Sequence, residues 1–328
     1  MGHLARRAFS AADITSPTIL RLALAAFLCT AATSGPAETL TPIGLLPGGT
    51  HRNAFAISGD GSAVTGYGNS STYITEAFRW TPGGGNQGLG VVPGGSYVVS
   101  YGNGISADGT AVVGRLATGT TSQIGVEAFR WTDSGGMFGL GFLGGGVTSQ
   151  ANGVSANGAV VVGFGTSSGQ PNGEAFRWTE TGGMTGLGSL PGGQFSLATG
   201  VSGDGSAVVG RSVTATNSDE QAFRWTESSG MLGLGFLPGG GSRSNAAGVS
   251  ADGSVIVGSG GVRNVNPALP GRTEAFRWTA TDGMVGLGVL PGKSGSEATG
   301  VSADGSVIIG LSSGGGDAAF IWTAEAGM

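Results

Sequence analysis

Cysteine is almost missing from this chain of 328 residues: Cys29 is the only one. Once an N-terminal leader is removed none is left, so disulfides and thiol chemistry play no part in the remainder. Histidine is nearly as scarce, and His51 is the only one after residue 37. One histidine without cysteine argues against a zinc site. It also leaves a Ser-His-Asp site without support, because no Gly-x-Ser-x-Gly elbow of fitting context accompanies His51; the residue reads as a solvated turn histidine. Apolar residues at helical spacing are lacking over any long window, so α-helical architectures are excluded. An excess of basic charge is lacking as well. Residues 38–328 carry 12 basic and 19 acidic side chains, a net −7 with histidine neutral. That balance argues against nucleic acid and anionic membrane surfaces as partners.

The N-terminus differs from the rest. Residues 1–21 contain Arg6, Arg7 and Arg21 against one acid, Asp13, and 22–32 form an 11-residue apolar run, too short to span a bilayer. Small residues and Pro36 follow. The pattern resembles a secretory signal over residues 1–37, with cleavage before Glu38. Arg6-Arg7 also fits a twin-arginine signal, although the apolar run begins late for one. The expectation is an exported protein, in the periplasm, at the cell surface or outside the cell, with no transmembrane segment in the mature chain.

What the chain has in abundance is glycine, 69 residues, and a repeat. Ala-Phe-x-Trp-Thr recurs six times and holds every tryptophan: Trp80, Trp131, Trp178, Trp225, Trp278 and Trp322, spaced 51, 47, 47, 53 and 44 residues apart. A period of this length marks a repeat architecture. Each copy divides into four strand-like pieces. A small-residue segment runs into Gly-Val-Ser, as at residues 198–202. A turn follows, centred on Asp60, Asp108, Asn157, Asp204, Asp252 or Asp304, each followed by glycine; Asp-Gly and Asn-Gly between apolar runs are hairpin signals. A Val/Ile-rich strand comes next, then Glu-Ala-Phe-Arg-Trp-Thr, whose alternation puts Phe and Trp on one face and Ala, Arg and Thr on the other. A glycine turn leads to the fourth piece. From the Ala of Ala-Phe to the Pro position of Leu-Pro-Gly-Gly is 16 residues in every copy that has both, whereas the gap between second and third strands varies from 8 residues after Gly310 to 16 after Gly258. A fixed half and a variable half fit a rigid scaffold with loops on one side.

Four antiparallel strands per unit predict an all-β fold, a six-bladed β-propeller of four-stranded blades over residues 38–328. A β-solenoid is the competing architecture, but its rungs are usually shorter. The first strand, poorest in bulk, is expected innermost. The last copy stops where its fourth strand is due, and residues 40–46 read as that missing strand, so closure by the N-terminal strand is expected, with Pro42 on an outer edge. The aromatic pairs Phe78 and Trp80, Phe129 and Trp131, Phe176 and Trp178, Phe223 and Trp225, Phe276 and Trp278, and Phe320 and Trp322 are the expected core.

The repeat resembles the HAF family of extracellular bacterial repeats, named for a His-Ala-Phe motif. The triplet here is Glu-Ala-Phe at Glu76, Glu127, Glu174 and Glu274, Gln-Ala-Phe at Gln221 and Ala-Ala-Phe at Ala318, so no copy has the histidine. The following Trp, the Leu-Gly-x-Leu-Pro-Gly-Gly run and the Val-Ser-Ala-Asp-Gly run are similar to the family pattern over residues 43–323. The resemblance implies a secreted or surface protein of autotransporter-passenger type and no particular activity. Neither a barrel nor a sorting signal follows Thr323, which leaves a released or a truncated protein as the expectation.

Three functional readings follow: an exported, non-enzymatic binding module; a propeller hydrolase or lyase acting on polysaccharide; and a structural passenger. The first is favoured, because no cluster of unique polar residues breaks the repeat as an active site would. The Asp set reads as turn residues bonding their own backbone rather than as Ca²⁺ ligands or acid–base pairs. Arg79, Arg130, Arg177, Arg224 and Arg277 read as partners of acids between blades. No cofactor is implied, and a monomer is expected. A ligand, glycan or protein, would meet the face carrying the long second-to-third loops, with Tyr67, Tyr73, Tyr97, Tyr101, Arg115, Arg211, Arg263 and Arg272, side chains of the types favoured at contact hot spots. If residues 38–46 complete the last blade, their deletion lowers the melting temperature by several degrees, as followed by circular dichroism.

Overall fold

The computed structural model describes residues 41–93, 98–117, 125–215, 219–263 and 271–328. The chain divides after Pro42, and the described residues fall almost wholly in the second unit, Ile43–Met328. The expected export signal, residues 1–37, lies outside them. That unit contains β-strands and no helix among the described residues, hence no helix long and apolar enough to cross a membrane.

Every repeat is an antiparallel sheet in which consecutive strands are neighbours. The first sheet runs β1 (Arg52–Ile57), β2 (Val64–Gly68), β3 (Glu76–Thr81) and β4 (Gly85–Gly88). Four more four-stranded units follow over residues 99–139, 149–186, 196–233 and 240–286, and a three-stranded sheet over 295–323. One parallel pairing, Glu220 with Arg243, joins the fourth and fifth units into a continuous eight-stranded sheet.

The third strand fits the expected alternation. All six phenylalanines are buried, five of them completely and Phe320 to 4% exposure. Of the tryptophans only Trp131 and Trp178 are buried; the other four lie half-buried at the sheet margin. Five apolar clusters each join one sheet to the next. In the cluster between second and third sheets, Phe176 and Trp178 of the third meet Val113 and Ala128 of the second.

A serine fixes each junction. Ser100, Ser149, Ser196, Ser244 and Ser296, in the first strands of sheets two to six, accept the backbone N–H of Ala77, Ala128, Ala175, Ala222 and Ala275 of the preceding sheet at 2.8–2.9 Å. The same hydroxyls donate to the carbonyls of Gly90, Gly141, Gly188, Gly235 and Gly288 in the linker between the two sheets. A second polar thread runs through the Asp-Gly turns, where Ala107 N–H meets Ala156 O, Ala156 meets Gly203, Gly203 meets Ala251 and Ala251 meets Ala303, each at 2.9–3.0 Å. First strands of neighbouring sheets approach closely: a Cβ on Gly153 would come within 3.3 Å of the Gly200 Cα. A side chain at Gly153 would push its neighbour back by a few tenths of an ångström.

Two expectations are corrected. The recurring arginines meet acids only in part, and three of them reach backbone: the Nε of Arg79, Arg130 and Arg224 donates to Gly109 O, Gly158 O and Gly253 O in the Asp-Gly turn of the next sheet. The turn presents its carbonyl where the guanidinium ends; an acid of the next sheet, Asp133, stands 4.0 Å from Arg79, and Arg277 pairs with Asp282 of its own sheet at 3.4 Å. Nor do the described residues 41–46 form a strand. Gly44 has φ +65, a left-handed conformation that breaks extended backbone, and the Ile43 carbonyl accepts from Asn86 Nδ2 of β4. Ile43–Gly49 thus packs on the first sheet as the other linkers pack on theirs, with Leu46 buried. The sixth sheet ends at its third strand, apart from a bridge between Thr323 and Gly327.

Ser196 is fully buried and satisfies the Ala175 N–H of the third sheet and the Gly188 carbonyl of the linker after it. Ser196→Ala leaves a buried N–H and a buried carbonyl unpaired and is expected to destabilise the chain by about 1–3 kcal/mol, read as a lower denaturant midpoint at unchanged slope.

Candidate functional site

The second strand of each sheet carries a glycine at its fourth or third position, namely Gly66, Gly114, Gly163, Gly210, Gly258 and Gly310. A Cβ there would overlap the carbonyl of the first strand beside it. A β-bulge lies opposite, at the register break in every first strand. The residue after this glycine and the residue in the bulge are consequently aimed by the scaffold but not constrained in type. After the glycine stand Tyr67, Arg115, Phe164, Arg211, Ser259 and Leu311; in the bulges stand Phe55, Asn103, Asn152, Thr199, Ala247 and Thr299.

Three expected site residues come together at the first two of these positions. Tyr67 meets Tyr101 edge to face with centroids 5.0 Å apart, and the Arg115 guanidinium lies 4.5 Å above the Tyr101 ring. Phe55 extends the row, 5.2 Å from Tyr67. Beyond Arg115, Nη1 donates to Gln150 Oε1 at 3.0 Å, and Gln150 Nε2 donates to Asn152 Oδ1 at 2.9 Å. Edge-to-face rings and a cation over a ring are each favourable, so the row is held in place before any ligand arrives. Arg115, at the end of the row, also lines a cleft of about 420 Å³ with Gln150, Phe164, Thr166 and Asn172; the tyrosines and Phe55 lie outside its lining. One aromatic ring, an arginine and carboxamides thus line the concavity, with the tyrosine row beside it, an arrangement suited to an apolar ring edged with hydroxyls or carboxylates.

The other expected residues lie apart. Arg211 pairs with Glu220 at 2.8 Å and sits 5.7 Å from the Phe195 ring, beside a cleft of about 350 Å³ that also holds Arg243 and Glu297. Arg272 pairs with Glu274 at 2.7 Å and Arg263 is exposed. Tyr73 lines a third cleft with the exposed His51 and Asn69. Tyr97 lies outside the described residues. Phe55, Gln150 and Phe164 were not among the sequence expectations. The signal for Phe55 and Phe164 was positional, since they occupy the two freely varying places of the repeat.

The second-to-third loops do share a face with the Leu-Pro-Gly-Gly turns: Ser71 N–H meets Pro47 O and Ser168 N–H meets Gly144 O. The Asp set is built into turns of its own. Ser58 Oγ donates to Asp60 Oδ1 at 2.6 Å and accepts from Ala63 N–H, while Ser62 donates to the same carboxylate through N–H and hydroxyl. Asn157 makes the same bonds to Ser155 and Ala159. Hydrogen bonds from these serines hold the Asp60, Asp252 and Asp304 carboxyls at a pKa of about 2, and Asp204 is lowered for the same reason. No three His, Cys, Asp or Glu side chains gather among the described residues.

No family model matches the chain, and no curated protein matches it. Solved structures do. The chain is similar to a prolyl endopeptidase (10% identity over 85% of this chain and 41% of that one, TM-score 0.58) and to an oligogalacturonate lyase in complex with manganese (14%, 85% and 76%, TM-score 0.56). It is also similar to TolB from Acinetobacter baumannii (12%, 81% and 62%, TM-score 0.49). The chain thus spans under two thirds of the first and third of these proteins. The neighbours are β-propellers, and the likeness is one of fold.

The depressed carboxyls set a pH dependence. A group with a folded pKa near 2 and an unfolded value of 3.8 adds stability above 3.8 that is lost as pH falls through about 2. Melting temperature is therefore expected to fall between about pH 4 and pH 2. Asp252→Asn, which copies Asn157, is expected to keep the turn and make this fall shallower, whereas Asp252→Ala lowers stability at neutral pH too.

Proposed function

We propose that this chain is an exported binding module without catalytic activity, built of β-propeller blades, one to each of its six repeats, with the first and last left open, and that it belongs with the HAF-type extracellular repeats its sequence resembles. The ligand is a glycan outside the cytoplasm. The row from Phe55 through Tyr67 and Tyr101 to Arg115 carries this reading. Ring faces offer stacking surface to the apolar face of a sugar, and Arg115 with Gln150 offers donors to its oxygens. The depressed aspartates are consumed by their own turns, which leaves them without the raised pKa that a general acid needs near neutral pH.

Export agrees with the leader-like residues 1–37 and with a unit that needs no disulfide.

A glycan array probed with the purified chain tests the proposal. Binding to a sugar ligand is expected, and Tyr101→Ala or Arg115→Ala is expected to weaken it by about 2 kcal/mol, roughly thirtyfold in Kd, without moving the melting temperature. Arg272→Ala, away from the row, serves as the unaffected control. Turnover of the bound glycan, or binding indifferent to both substitutions, would refute it.

A further inference from the structure

Four of the five internal junctions bring together the same two pairs of small apolar residues; at the first, Thr65 and Gly102 take two of the places. A second-strand residue meets a first-strand residue of the next sheet: Val113 with Val154, Val162 with Val201, Val209 with Val249, Val257 with Val301. Beside it a third-strand alanine meets a first-strand alanine: Ala128 with Ala151, Ala175 with Ala198, Ala222 with Ala246, Ala275 with Ala298. The next members of both series stand at opposite ends of the unit. On the sixth sheet they are Ile309 and Ala319, and on the first sheet Ile57 and Ala54.

None of these four is covered. Ile309 is 50% exposed where Val113, Val162, Val209 and Val257 are fully buried, and Ile57 is 63% exposed. Ala54 and Ala319 are exposed where the alanines of the internal series are buried. Leu311 and Ile321 widen the sixth-sheet face at 48% and 67% exposure. No apolar cluster among the described residues joins the sixth sheet to the first. The turn thread stops in the same way: Ala303 accepts from Ala251, but its own N–H has no acceptor among the described residues.

We infer that the sixth-sheet face of one molecule takes the first-sheet face of a second copy, making head to tail the junction that the chain makes five times within itself. The occupant is set by the junction already present: its two halves are Ile309 with Ala319 and Ile57 with Ala54, and in this structure they do not meet. The polar fastenings are replaced on both sides at once. Arg52 stands in the serine position, Ala318 in the glutamate position and Ile321 in the arginine position. The contact is therefore mainly apolar, weaker than an internal junction and reversible. A contact between unlike faces is heterologous, so it extends into rings or filaments rather than stopping at a twofold dimer.

Sedimentation velocity of the purified chain over a wide concentration range tests this. Self-association is expected, and Ile309→Asp and Ile57→Asp are each expected to abolish it at unchanged melting temperature. An equimolar mixture of these two variants, each keeping one face intact, is expected to recover a dimer and nothing larger. A wild-type chain that stays monomeric, association that survives either substitution, or a mixture that stays monomeric overturns the inference. The Ile57→Cys, Ile309→Cys double variant in a Cys29→Ser background separates copies from self-closure. On oxidation, a ladder of linked chains supports the head-to-tail contact, and a disulfide within single chains overturns it.

Discussion

Everything in this molecule hangs on a hydroxyl group that works in two directions. Five serines accept an N–H from the third strand of one sheet and donate to the carbonyl of the linker that leaves it. A β-strand laid face-on against its neighbour's sheet cannot pair by backbone alone; the serine supplies the missing bond and sets the spacing. With that spacing fixed, a phenylalanine is buried between sheets, and the glycines of the first strands allow a close approach where these strands converge. The same sites explain why a glycine-rich chain lacking disulfides keeps a defined core: apolar area is small per residue, but it is buried in closely similar junctions that share the same serine hydrogen bonds.

Much of this was legible in the sequence. The tryptophan period, the Asp-Gly turns and the alternation of Ala-Phe-Arg-Trp all correspond to strands and hairpins where they were expected. Other features could not be read locally. A junction serine looks like any serine, and its role depends on a partner about 21 residues earlier in chain order, as with Ser196 and Ala175. Residues 41–46 are apolar enough to suggest a strand, yet the left-handed Gly44 and the hydrogen bond from Asn86 make them a linker. The arginines were read as salt-bridge formers because charge is visible in a sequence and a turn carbonyl is not.

The candidate site shows the same division between scaffold and content. Tyr67, Tyr101 and Arg115 were expected on a loop-bearing face; they lie on strands, at or next to the invariant bulge and its glycine. The repeat holds these places rigidly while leaving their side chains free. Phe55 fills a bulge where three other copies have Asn or Thr reaching for a carbonyl of the next sheet, as Asn103 does to Ala151. One substitution in a structural position thereby turns a polar tether into part of an aromatic row.

The glutamate that opens most third strands has an effect beyond its own sheet. In four sheets its carboxylate folds over a fourth-strand glycine to accept the N–H of the next linker glycine, as Glu174 does with Gly186 beneath it and Gly188 as donor. Each of these four repeats therefore ends its own strand and aims its exit with a side chain it carries itself. Such a unit is portable. A copy of some 47 residues, as between Trp131 and Trp178, holds every instruction for meeting another of its kind. Duplication or loss of whole copies would leave the neighbours' geometry intact, so the number of sheets is free to drift in evolution while the form of each is not.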